Sequence, residues 1–390
     1  MQDCFHTMRA SGHIVTTTTL DETVHAFVPD PLPPVEPALT PESCGAAVRR
    51  AELALARLSG VAGLVPSMDW LLYGAIRKEA LLSAQIEGAR ATLTDLFDAE
   101  AGLAVAKPDD VREVANGLRA FSGLRDSLRS PNGQPISVRL LCEAHRLLRA
   151  GARGAGQPPG ELRRSQNGTG GSRPGRARFV PPPPDRVPAL LDDLERFIHE
   201  ADAGLPPLVR VALVHAQFET IHPFVDGNGR VGRLLTAALL EQWGLLPEPL
   251  VVLSGYLEQN QLEYQQRLAA VRTDGDWEGW IAFFMDGVET AATDAECDIV
   301  AIASLVAADR RRLLAAPRVG AVALRLFELL PLMPRLTIEQ VRQRLATSFP
   351  TAAAAVKLLE ELGIVTELTG QKKNRCFSYA GYVELLANGT

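Results

Sequence analysis

Between residues 207 and 243 the chain reads as one helix broken and immediately restarted, and this break constrains the fold more than any other feature. Val209–Ile221 reads as a largely apolar helix. Pro223 ends it, because the proline ring removes a backbone donor and restricts the residue before it. His222 is thereby set at a helix-loop junction. Gly227 and Gly229 flank Asn228, and a new helical pattern runs from Arg230 through Leu240. Successive backbone N–H groups at such a start point into one concavity, the geometry that binds phosphate. Arg230 and Arg233 are three apart, hence on one helix face, and guanidinium forks suit bidentate phosphate contacts. Asp226 offers a hard oxygen for Mg2+, which takes one or two carboxylates and completes its shell with substrate phosphates. A histidine, an aspartate, a nest of backbone donors and two arginines make a nucleotide-processing set.

The rest of the chain frames that segment. With 390 residues, 46% of them apolar, the chain is long enough for two or three domains. A formal charge of −6 argues against the broad basic surface of non-specific nucleic-acid binders. The five cysteines are scattered without a CxxC pair, which points to neither a disulfide framework nor a zinc site. No signal-peptide pattern and no membrane-length apolar run occurs, so a soluble cytoplasmic protein is expected. Residues 1–43 are rich in Thr and Pro and end in Phe27-Val-Pro-Asp-Pro-Leu-Pro-Pro34, which reads as an extended arm. Residues 44–128 and 129–292 carry helical periodicity throughout, giving a mainly α body. The exception is 160–184, whose Gly and Pro content suits a mobile hairpin. A linker helix is expected at 293–317. In 318–390, three short helices followed by a two-stranded ribbon, with an apolar core of their own, are similar to a winged helix. Its second helix, Thr351-Ala-Ala-Ala-Ala-Val-Lys357, has few base-reading side chains, so packing against protein is as good a reading as DNA binding.

His222-Pro223-Phe224-x-Asp226-Gly227-Asn228-Gly229-Arg230-x-x-Arg233 resembles the full signature of the Fic family. Ser83-x-x-Ile86-Glu87-Gly88, Arg163-x-Ser-Gln-Asn167, Phe179-Val-Pro-Pro-Pro-Pro184 and Asp276-Trp-Glu-x-Trp280 extend the likeness to bacterial members with an N-terminal inhibitory helix and a C-terminal winged helix. The resemblance implies a Fic helical bundle with a β-hairpin flap at 160–184. It also implies transfer of AMP from ATP to a Ser, Thr or Tyr hydroxyl of a target protein, or of the enzyme itself. His222 would be the general base, Asp226 would hold Mg2+, and Gly227, Asn228 and Gly229 would form the anion hole. Arg230 and Arg233 would steady the β- and γ-phosphates. Gln217 and Asn260 are further candidates for nucleotide contact, Asn260 together with Tyr264 one turn on, and solvated or structural roles fit them equally well. Gly168 and Thr169 replace the large aromatic and aliphatic side chains expected in the flap, which leaves the target open.

Ser83-Ala-Gln-Ile-Glu87-Gly88 by itself reads as a helix end with a glycine stop. Beside the signature it resembles the autoinhibitory helix, in which Glu87 pairs with Arg233 and displaces the γ-phosphate. In that arrangement Glu87 would also orient a water for removing AMP. The contrasting expectation is a nucleotide-sensing DNA-binding regulator that uses the winged helix. A homodimer is compatible with either, and no membrane partner is expected.

Overall fold

The computed structural model describes residues 11–19, 22–39, 41–131, 133–151, 158–171, 173–200 and 204–388. The expected arm is instead a hairpin within the described residues. Strands β1 (Gly12–Thr19) and β2 (Glu22–Pro29) pair antiparallel from Gly12↔Pro29 to Thr19↔Glu22. The prolines that argue for an unpaired arm begin at the end of β2, and the strands themselves are rich in β-branched Thr, Val and Ile. Residues 1–10 of the expected arm lie outside the described residues.

The body follows as α1 (Pro41–Val61), α2 (Met68–Ile86), α3 (Leu93–Glu100), α4 (Pro108–Arg129) and α5 (Val138–Leu148). Then come α6 (Val187–His199), α7 (Pro207–Ile221), α8 (Asn228–Gln242), α9 (Leu253–Gln259), α10 (Gln261–Asp274) and α11 (Trp277–Leu314). Local signals set several of the starts. Thr92 and Asp95 form a capping box at α3, Ser137 caps α5, and Asp276 accepts from Gly279 N at α11. Helix α7 is buried along almost its whole length, its polar Arg210, His215, Gln217 and Thr220 included, and α6, α8, α10 and α11 pack against it. Trp280, completely buried on α11, donates from Nε1 to the Ala212 carbonyl of α7 at 2.8 Å.

Helix α11 is a single element of 38 residues, about 57 Å at the α-helical rise. No break separates 276–291 from the expected linker helix at 293–317. Its first half packs on α7, and its length lies along α1, with Arg50 reaching Asp286 at 2.7 Å and Glu289 at 2.8 Å. Its second half carries the C-terminal region: α12 (Ala321–Leu329), β3 (Arg335–Thr337), α13 (Ile338–Arg344), α14 (Phe349–Glu361), β4 (Thr366–Glu367), β5 (Cys376–Ser378) and α15 (Ala380–Ala387). The three strands form an antiparallel sheet in the order β3-β5-β4. This region does not enclose a core of its own, because its buried side chains are continuous with those of the body. Tyr382 donates to the Trp70 carbonyl of α2 at 3.0 Å, and Tyr379 donates to the buried carboxylate of Asp309 on α11 at 2.7 Å. Helix α2 is thus gripped at its start by the C-terminal region, while its other end reaches the 222–233 segment. No described helix is long and apolar enough to cross a membrane.

The expected flap is reduced to one antiparallel bridge, Thr169↔Phe179, with a 3-10 turn at Pro174–Arg176. It leans on the N-terminal hairpin. Phe27 N donates to the Val180 carbonyl at 2.9 Å, and Val24, Ala26 and Val180 make a small separate core.

Candidate functional site

The helix break produces a left-handed cap. His222 has φ 51° and ψ 61°, and its N–H still donates to Phe218 O at 3.0 Å. A non-glycine residue in this region is strained and persists only where its surroundings hold it. Arg163 supplies much of that hold. Its side chain is buried, and Nε donates to the His222 carbonyl at 2.8 Å while Nη2 donates to the Pro182 carbonyl at 2.5 Å. Its backbone N–H donates to Pro223 O at 2.9 Å. Burial lowers the Arg163 pKa to about 10, which leaves it cationic at neutral pH. One guanidinium therefore joins the flap to the histidine loop.

Asn228 shapes the next turn with its side chain. Phe224 N donates to Asn228 Oδ1 at 2.8 Å, and Asn228 Nδ2 donates to Phe224 O at 2.9 Å. The paired bonds close the loop, and Gly227 at φ 82° turns the chain into α8. His145 supports the loop from below. Its ring stacks on Phe224 with centroids 3.9 Å apart, and Gly160 N donates to Nδ1 at 2.9 Å. Nδ1 is then the acceptor, so Nε2 carries the proton and donates to the Asp226 carbonyl at 3.0 Å. Burial lowers the His145 pKa to about 4 and keeps the ring neutral.

The His222 imidazole is held neutral in the same way. Burial first, and the Arg163 charge next, bring its pKa down to about 4, against a hydrogen bond to the Glu219 carbonyl that raises it. A neutral imidazole keeps one ring nitrogen able to accept a proton. The ring opens on a cavity of about 440 Å³ whose lining includes Glu87, Gln166, Asn167, Arg173, Asp226 and the Gly227–Gly229 backbone. A second cavity, of about 300 Å³ and more apolar, lies between α2, α9, α11 and α15 and includes none of the residues of the helix break.

Arg233 is buried and engaged on three sides. Nε donates to Ser83 Oγ at 2.8 Å, and Nη2 donates to Ser83 O and to Glu87 Oε1, each at 2.9 Å. Burial opposes its charge, but Glu87 foremost, with Tyr264 and Glu219, more than offsets this and holds it above its ordinary pKa. Glu87 can approach because residue 229 is glycine. A Cβ there would lie 2.3 Å from Glu87 Oε1. Arg230 takes a different course. It is buried against the Glu113 carboxylate of α4, lines a separate cavity beside α4, and its Nε has no partner. The structure therefore brings Glu87, Ser83 and Arg233 together and gives Arg230 a different carboxylate, Glu113.

Asp226 is half exposed. Its Oδ1 accepts from Gly227 N at 2.6 Å, and its Oδ2 pairs with Arg149 Nη1 at 2.8 Å. No cluster of three His, Cys, Asp or Glu side chains fit to hold a metal occurs among the described residues. One carboxylate with an outward oxygen fits Mg2+ only if the cation takes its remaining ligands from a triphosphate and water. Gln217 does not face the cavity; it is buried and donates to the Asp30 carbonyl at the end of β2 at 2.8 Å. Asn260 donates to the Tyr256 carbonyl at 2.9 Å and lines a third cavity with Leu262, Glu263 and Gln266. Tyr264 is in the core, bonded to His215 Nε2 at 2.9 Å, so it lines no nucleotide space with Asn260.

Sequence reasoning assigned no part to His145, Arg149, Arg163 or Glu219. Arg163 and Asn167 carried a visible signal, polar side chains of fixed kind in an otherwise Gly- and Pro-rich stretch. Asn167 Nδ2 indeed donates to the Phe224 carbonyl at 3.0 Å. Glu219 carried none. It sits on α7 against Gly232 with Oε1 buried and unpartnered, and burial raises its pKa to about 7 despite Arg233 nearby.

Comparison with known proteins places this geometry. Residues 135–240 match the Fic/DOC family, and residues 46–123 match the Fic/DOC family N-terminal domain. A probable protein adenylyltransferase of Aquifex aeolicus is 43% identical over 70 residues, 18% of this chain and 22% of that protein. Protein adenylyltransferase Fic of Drosophila yakuba is 34% identical over 131 residues, 33% of this chain and 24% of that protein. The chain thus matches less than a quarter of either relative's length. The crystal structure of a Fic family protein from Desulfovibrio desulfuricans superposes with a TM-score of 0.56 at 21% identity, covering 87% of this chain and 96% of that one, which shows a shared fold.

Proposed function

From the premise that this chain carries a Fic/DOC family domain at 135–240 behind a Fic/DOC N-terminal domain at 46–123, we propose that it is a protein adenylyltransferase held in check by Glu87. The observation that carries the reading is a neutral imidazole at the mouth of a cavity floored by a helix N-terminus, with the neighbouring arginine already occupied by a carboxylate. His222 accepts the proton of a target hydroxyl while that oxygen bonds to the α-phosphorus of ATP. The bond from the α-phosphorus to the bridging oxygen breaks, and pyrophosphate leaves. A neutral base is required at that moment, and the low pKa of His222 supplies one at physiological pH. The backbone N–H groups at the start of α8 receive phosphate oxygens. Asp226 is the residue that would hold Mg2+, which when bound neutralises phosphate charge and polarises the α-phosphate. Arg233 is the residue that would meet the terminal phosphate once Glu87 lets go. Arg230, the other candidate for the β- and γ-phosphates, is paired with Glu113. Glu87 lines the same cavity, so it also stands where a water for AMP removal would be activated.

The test is incorporation of label from α-labelled ATP into proteins of a cell lysate and into the enzyme itself, with Mg2+. Label from α-labelled but not γ-labelled ATP, lost in His222→Ala, supports the reading; label from the γ position instead would replace it with phosphotransfer. The DNA-binding alternative draws little from this structure. In the C-terminal region Lys357 pairs with Glu361 at 3.4 Å and Arg375 with Glu360 at 2.9 Å.

A further inference from the structure

Arg149 is not part of the helix break, yet it holds the one carboxylate on which a cation would sit. The residue is the C-cap of α5, and its side chain is 15% exposed against 56% for Asp226. The two oxygens of Asp226 are not equivalent. Oδ1 is turned back to Gly227 N at 2.6 Å, which leaves Oδ2 as the oxygen open to a ligand, and that is the one Arg149 Nη1 meets at 2.8 Å. A divalent cation and a guanidinium cannot both sit at contact distance on one oxygen without strong like-charge repulsion.

The loop does not need Arg149 for its shape. His145 bonds the Asp226 carbonyl, Asn228 clamps Phe224, and Gly227 N fixes Oδ1. What Arg149 supplies is charge. Without a cation, Asp226 would present a bare carboxylate to an incoming triphosphate, and the arginine neutralises it. Arg149 also has somewhere to go. On its other side it borders a cavity of about 240 Å³ whose walls carry Asp109, Asp110 and Glu113 from the first turns of α4. Asp109 and Glu113 already have arginine partners in Arg112 and Arg230, and Asp110 accepts from Arg90 N at 2.8 Å, so the wall offers an acidic berth of shared charge.

We propose that Arg149 is a positioning residue that occupies the cation's place on Asp226 in the empty enzyme and yields it to the metal carried by the nucleotide, withdrawing toward the acidic wall of α4. This rests on Asp226 being the cation ligand. It predicts that the metal's contribution to nucleotide binding is limited by the cost of displacing Arg149. An exposed or half-exposed ion pair of this kind is worth a few-fold to about tenfold in an equilibrium constant.

The experiment measures binding of α,β-methylene-ATP to the full chain by calorimetry, once with Mn2+ and once with EDTA, and takes the ratio of the two Kd values. Arg149→Ala and Arg149→Gln are expected to enlarge that ratio about three- to tenfold over wild type, with Arg149→Lys between. Asp226→Asn is expected to bring the ratio close to one. An unchanged or smaller ratio in both Arg149 variants, with Asp226→Asn behaving as expected, overturns the displacement of Arg149 and leaves Asp226 as the ligand. A wild-type ratio in Asp226→Asn overturns the assignment of the cation to Asp226 itself.

Discussion

Arg230 and Arg233 leave the same helix one turn apart, and their side chains are 4% and 2% exposed. Each meets one carboxylate from the N-terminal helices, Glu113 at 33% exposure and Glu87 at 32%. By burial and pairing they are nearly the same interaction. They differ in what the carboxylate faces. Glu87 lines the cavity with His222, and Ser83 engages the same Arg233 guanidinium, whereas Glu113 lines a different cavity, beside α4, with Asp109, Asp110 and Arg149. Releasing Glu87 would open a ligand position beside the reacting atoms. Releasing Glu113 would only strand a buried charge. On the function proposed above, the two pairs differ through the space each carboxylate occupies, not through their strength.

If the chemistry belongs to the cavity of His222, removing that base has the largest effect. His222→Ala is expected to lower AMP transfer by a factor of roughly 10² to 10⁴ with nucleotide binding nearly intact. Transfer near the wild-type rate, measured with labelled ATP, would detach both arginines from any reaction. Glu87→Gly should raise initial AMP incorporation, including self-modification, by roughly one to two orders of magnitude, as about 2–3 kcal/mol of unfavourable phosphate placement is relieved. Equal or lower incorporation by the folded variant would reduce Ser83–Gly88 to a helix end. Glu113→Gln is the sharpening control. It should bring no gain in transfer and a loss of stability of about 2 kcal/mol in urea unfolding, because it leaves Arg230 buried beside a neutral partner. A gain comparable to that of Glu87→Gly would erase the distinction drawn between the two pairs.

The smallest expected change in transfer rate is the one with pH. His222 and His145 near pKa 4 and His215 near 3 all lie below the unfolded value, so their neutral forms add stability above about pH 6.5 that is lost as pH falls toward 4. Glu219, raised to about 7, acts in the opposite sense. Its contribution is complete below the ordinary carboxylate range and is lost as pH rises through 7. The transfer rate of Glu87→Gly should accordingly change little between pH 8 and 5. An acid limb inflecting near 6.5 would mean that the His222 ring is solvated in the working enzyme.

Much of this site was legible in the sequence. Pro223 and Gly227 announce a helix stop and restart, and the resemblance to the Fic family, not the segment Ser83–Gly88 by itself, links Glu87 to Arg233. The hairpin at 12–29 was not, since the prolines beside it outweighed a run of β-branched residues whose partner strand lies only a turn away. Nor was the use of Asn228, which spends its side-chain amide on Phe224 and takes part in the concavity only through its backbone. Gln217, on the helix before the motif, and Asn260 and Tyr264, beyond α9, turn to Asp30, Tyr256 and His215.

What the sequence by itself determined is the local backbone, where α7 must stop and where α8 can begin, because these follow from steric rules acting over a few residues; the glycine at 229 answers instead to Glu87, which α2 brings against it. Which carboxylate meets which arginine was decided only by the tertiary structure. Spacing along α8 places Arg230 and Arg233 on one face, but long flexible side chains diverge from that face to whichever helix packs there. Helix α2 delivers Ser83 and Glu87 to one guanidinium and α4 delivers Glu113 to the other. Burial, which sets the protonation of His222, His145 and Glu219, is likewise a property of the assembled bundle and of no single segment.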